Sequence, residues 1–95
     1  MASWWVTRRL RSISTQLTRL RDELHVADEQ QRALADESTD LELRALVSDA
    51  PFDRSESRAA SGHTEAATRH RVRLVEQIAK LEHEQDALLD RLSAG

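Results

Sequence analysis

At 95 residues the chain has room for one domain with a modest core, because small domains bury a smaller share of their surface than large ones. Aromatic residues make up 3% and charged residues 33%, a balance that suits long helices with a narrow apolar stripe and excludes a wide globular core. With no cysteine, two glycines and one proline, disulfides and thiolate chemistry are excluded, and hairpins of strands lack their turn residues.

The first predicted element is a long helix over about residues 3–37. Val6, Leu10, Ile13, Leu17, Leu20, Leu24, Ala27, Gln31 and Leu34 recur at steps alternating between four and three, which is the seam of a coiled coil. Ser38 and Thr39 interrupt it. Thr39-Asp40-Leu41-Glu42 then has the pattern of a capping box, a hydroxyl followed three residues later by a carboxylate, so a short helix is expected over about residues 40–50. Pro51 disfavours helical geometry in the residue before it, which predicts a stop there and a loop over residues 51–61.

Gly62 costs a helix about 1 kcal/mol relative to alanine. The last long helix is therefore expected over about residues 62–93, with its start open between Arg54 and Thr64. In it Ala67, Arg71, Leu74, Ile78, Leu81, Gln85, Leu88 and Leu92 repeat the alternating step. The expected fold is all-α, a single domain built as an antiparallel two-helix coiled-coil hairpin with a short third helix at the tip.

In such a hairpin the numbers of facing seam residues add to a constant. A sum of 98 sets Val6 on Leu92, Leu10 on Leu88, Leu17 on Leu81, Leu20 on Ile78 and Leu24 on Leu74, whereas sliding by one heptad sets Leu34 against Arg71. On the flanks Arg9 can reach Glu84 and Arg21 can reach Glu82, exposed pairs each worth well under ~1 kcal/mol.

Residues that carry chemistry are sparse. His25, His63, His70 and His83 do not stand at metal-ligand spacing on a common helix, and no nucleophile elbow, phosphate loop or catalytic carboxylate pair is recognisable. A non-enzyme is expected, with no catalytic residue, metal or cofactor. No apolar run is long enough to span a membrane and the N-terminus lacks the apolar stretch of a secretory signal, so the expected compartment is the cytoplasm.

Charge is graded along the chain. Residues 1–21 carry five Arg and no acid, residues 22–67 carry four Arg and twelve acids, and the remainder balances. A nucleic-acid surface is disfavoured because the stripe of Arg8, Arg9, Arg11, Arg19 and Arg21 stops at Asp22 and reverses sign.

Two sets of apolar residues lie off the seam. At the base, Trp4 and Trp5 with Leu89 are candidate anchors for a protein partner, since tryptophan is enriched at interfaces. Competing readings fold one tryptophan over Leu89 and Leu92, or lay Trp4 and Trp5 with Arg8, Arg9 and Arg11 weakly on a membrane surface. At the tip the candidates are Leu46, Val47 and Phe52, and the blander reading, which the sequence favours, folds them inward onto Ala59, Ala60 and Ser61.

Asp40 and Asp49 supply an acidic alternative, a modulator that offers its coiled-coil tip to the catalytic metal of RNA polymerase. Residues 34–52 do not match the tip motifs of such factors, and a likeness of architecture does not transfer function. The expected function is a protein–protein interaction or adaptor module that associates with itself and with another protein.

Overall fold

A computed structural model describes residues 2–94. Two helices, α1 (Ala2–Val47) and α2 (Pro51–Ala94), are joined by residues 48–50 into a helical hairpin, and no strand occurs among the described residues. The chain divides into a terminal unit, running up to Leu24 and resuming at Arg73, and a turn unit, His25–Val72.

The terminal unit is held by the large members of the seam. Val6, Leu17, Leu20, Leu74, Ile78 and Leu88 are buried and Ile13 is wholly excluded from solvent. Leu92, expected on Val6, stays partly exposed. Both expected flank pairs form: Arg9 donates from Nε and Nη2 to the Glu84 carboxylate at 2.6 and 2.8 Å, and Arg21 Nη2 donates to Glu82 Oε2 at 3.2 Å.

The bidentate hydrogen bond from Arg9 holds the Glu84 carboxyl below its ordinary range, against a smaller opposing effect of burial. A carboxylate depressed in the folded state stabilises it fully above the ordinary carboxylate range and loses that contribution as pH falls through the lowered value. Thermal melts across acidic pH are therefore expected to fall more steeply for the native chain than for Glu84→Gln. Parallel curves would show that the pair contributes nothing.

The turn unit is held differently. Its seam continues at the same alternating step through Ser38, Leu41 and Ala45 on α1 to Ser48 in the connection, and through Asp53, Ser57, Ala60 and Thr64 on α2, all buried or half-buried. Polar groups bridge the helices: Gln31 Nε2 donates to Thr68 Oγ1 at 2.8 Å, the Ser38 and Ser61 hydroxyls stand 3.4 Å apart, and Arg71 Nε donates to Asp28 Oδ1. Thr64 Oγ1 lies 3.2 Å from the Leu34 carbonyl and 3.1 Å from that of Ala60, so its one proton serves acceptors on both helices. Leu34 and Thr64 are facing partners in the register whose residue numbers add to 98.

The expected break at Ser38 and Thr39 is absent, and the short third helix over residues 40–50 is instead the end of α1. Thr39 Oγ1 donates back to the Ala35 carbonyl at 3.0 Å, a bond a hydroxyl can make inside a helix, and Ser38 finds Ser61 across the seam. Neither hydroxyl is left to cap a new helix. The chain leaves α1 where Ser48 N donates to the Arg44 carbonyl at 2.9 Å, and Ala50 precedes the proline in a non-helical conformation, as its position requires.

The expected loop over residues 51–61 and the start near residue 62 are likewise corrected, because α2 begins at Pro51. Proline suits the first helical position, where an N–H would have no partner and the fixed φ is already helical. Arg54 N closes the first turn on the Ala50 carbonyl at 3.3 Å, and Asp53 places a carboxylate near the positive end of the helix.

Gly62 lies inside α2, and a methyl group placed there would meet nothing within 4 Å. Gly62→Ala is expected to add about 1 kcal/mol of stability by restricting the unfolded chain without a steric cost. A thermal midpoint that stays the same or falls would overturn that account.

Candidate interaction surfaces

In the terminal unit, Trp4 and Trp5 occupy heptad positions turned away from the seam and are 66% and 52% exposed. Each has a guanidinium over its ring, Arg8 at 5.5 Å from the Trp4 centroid and Arg91 at 5.8 Å from that of Trp5. Such cation–π contacts contribute about 0.5–1 kcal/mol at exposed sites. They leave both rings accessible, and two shallow clefts form around them, one lined by Ser3, Trp4, Thr7, Arg8 and Arg11 and the other by Trp4, Trp5, Arg8, Arg9 and Ser12.

The expected base patch is not a single surface. Trp5 meets Arg91, which lies one heptad beyond Glu84 and so on the flank where Arg9 and Glu84 pair. Leu89 lies one heptad beyond Glu82, on the opposite flank where Arg21 and Glu82 pair. Leu89 and Leu92 remain exposed, so neither serves as a floor that buries a tryptophan.

In the turn unit the blander expectation fails. Leu46, Val47 and Phe52 are 83%, 89% and 70% exposed and do not fold onto Ala59, Ala60 and Ser61. The physical reason is that Ala60 is buried and Ser61 half-buried in the seam, where Ser38 meets Ser61 from α1, while Ala59 is itself exposed. Leu43, on the same helix face three and four residues before Leu46 and Val47, is not among the expected contact residues but is exposed with them.

The acidic candidates do not assemble. Asp40 is exposed on α1, and Asp49 Oδ1 stands 3.6 Å from Arg54 Nη1, which also donates to the Asp49 carbonyl at 3.0 Å. Among the described residues no group of three or more His, Asp or Glu side chains is placed to hold a metal ion. His25 has Glu29 as its neighbour, Nε2 to Oε1 at 3.3 Å, on the exposed surface of α1.

No helix among the described residues is long and apolar enough to cross a membrane. Comparison with protein-family models, with curated proteins and with solved structures returned no match to this chain. The surfaces of the chain offer exposed rings, aliphatic side chains and fixed charges.

Proposed function

We propose that this chain is a small non-enzymatic coiled-coil protein of the cytoplasm that works as a protein–protein interaction module and associates with itself. The observation that carries the reading is the run of exposed apolar side chains at the turn, Leu43, Leu46, Val47 and Phe52, on a chain whose other large apolar residues mostly sit in the seam. Exposed apolar side chains gathered beside one another mark interaction sites more often than scattered ones do.

Surface area supports the same reading. The accessible surface is 7093 Å², against about 5,500 Å² for a compactly folded chain of this mass. The surplus of about 1,500 Å² exceeds the roughly 800 Å² that each partner contributes to a standard interface. Burying part of it would supplement a seam whose layers include Gln31, Arg71 and Gln85 as well as aliphatic residues.

The test is affinity capture from a cell lysate with the native chain and with Val47→Ala/Phe52→Ala. Both positions are exposed, so helicity should be unchanged while captured proteins are lost. An identical set of captured proteins from the variant would overturn the role given to the turn.

A further inference from the structure

We propose that the acidic aliphatic patch at the turn of one copy seats on the basic aromatic face of the terminal unit of a second copy. The inference rests on the self-association in the preceding reading and specifies which surface meets which.

Charge decides the pairing. In the terminal unit, Trp4, Trp5, Arg8, Arg11 and Arg19 share the outward heptad positions of α1, and the first acid on that helix is Asp22. In the turn unit, Leu43, Leu46 and Val47 share the outward positions with Asp36 and Asp40, and residues 36–54 hold six acids against Arg44 and Arg54, the second of which pairs with Asp49. Turn against turn would press carboxylate on carboxylate, and aromatic face against aromatic face would press guanidinium on guanidinium. Only the unlike pairing joins apolar to apolar and opposite charge to opposite charge, and juxtaposed like charges suppress the alternatives.

The chemistry of each side fits the other. The exposed Arg8 guanidinium, its Cζ 5.5 Å from the Trp4 centroid, carries more N–H groups than the ring can engage and can donate to a carboxylate such as Asp36 or Asp40. The clefts beside Trp4 and Trp5 are shallow and open, and Leu46 and Val47 are exposed apolar groups available to pack against them. Tryptophan supplies large rigid area at low conformational cost, so two rings against three aliphatic side chains make a small interface of the transient class. Each copy carries one surface of each kind, so the contact either closes in a pair or continues into longer assemblies.

Sedimentation velocity of the full chain over a concentration series tests this. The native chain should associate, and its affinity should fall about tenfold or more between low and high salt, because exposed charges are screened. Trp4→Ala/Trp5→Ala alone and Leu46→Ala/Val47→Ala alone should each lose association. An equimolar mixture of the two should regain it, since one variant keeps its turn and the other its aromatic face.

Circular dichroism should show unchanged helicity in both variants, as none of these residues lies in the seam. Association that survives in either variant, or a mixture that stays monomeric, overturns the pairing. So does a native chain that remains monomeric up to about 0.5 mM, since any self-affinity would then be millimolar or weaker. If that monomer binds anionic lipid vesicles through Arg8 and Arg11, the aromatic face is a lipid contact instead. A monomeric native chain whose lysate partners depend on Val47 and Phe52 would leave the interaction module standing without self-pairing. A chain that self-associates but captures the same proteins with and without those side chains would do the reverse.

Discussion

Leu17→Ala is expected to lower the free energy of unfolding by about 2–5 kcal/mol, the usual cost of removing a fully enclosed leucine when its surroundings collapse only in part. Leu17 is 1% exposed, next in the seam to Ile13 at 0%, and its register partner is Leu81. Domains are stable by only about 5–15 kcal/mol, so this single change would consume a large share of the total. Leu89→Ala is the matched control. It removes the same side chain from an exposed flank of the same unit and is expected to shift stability by no more than about 0.5 kcal/mol. Urea titrations followed by helical ellipticity, at one low protein concentration, separate the two. A loss below about 1 kcal/mol for Leu17→Ala, or equal losses for both variants, would mean that the seam is not what holds the terminal unit.

Much of this architecture was legible because a coiled coil writes itself in a short repeat. The alternating step located the seam from Val6 to Leu34 and from Ala67 to Leu92, and opposite charges at the flanks supplied Arg9 with Glu84 and Arg21 with Glu82. The turn was legible too, from long range rather than from nearby residues. A register in which facing residues add to 98 has its midpoint at Asp49, the middle of the observed connection at residues 48–50.

The local signals pointed elsewhere, at Thr39 and at Gly62, and the long-range register prevailed because the seam does not end at Leu34. It continues in small residues, Ser38, Ala45, Ser57 and Ala60, which a count of hydrophobic side chains scores as an interruption but which let two helices approach. Extending the step through them would also have shown that Leu43, Leu46 and Val47 fall on outward positions. Whether anything covers an outward leucine is not written in a periodicity, which is why their exposure emerged only with the structure.

The small-residue seam makes a prediction opposite to one drawn from hydrophobicity. Leucine buries more apolar surface than alanine, so enlarging a buried alanine would stabilise a seam with space to fill. Ala60 does not have that space. It is buried opposite Ser38, its own carbonyl lies 3.1 Å from Thr64 Oγ1, and that same oxygen reaches the Leu34 carbonyl on the other helix at 3.2 Å. A side chain reaching main chain across the seam requires the helices to lie close together at this level.

Ala60→Leu must therefore push them apart, forfeit the Thr64 bond to Leu34 and separate Ser38 from Ser61, at a cost expected to be about 1–3 kcal/mol. Ala60→Ser, which adds one polar atom and little volume, should cost less. Amide hydrogen exchange gives the local readout: protection should fall in the turn unit for Ala60→Leu while the slowest amides, around Ile13 and Leu17, exchange at a rate set by the lower global stability. A thermal midpoint raised by leucine at this position would show that the helices have room between them, and that the hydroxyl and alanine positions are gaps in the seam and not its means of closure.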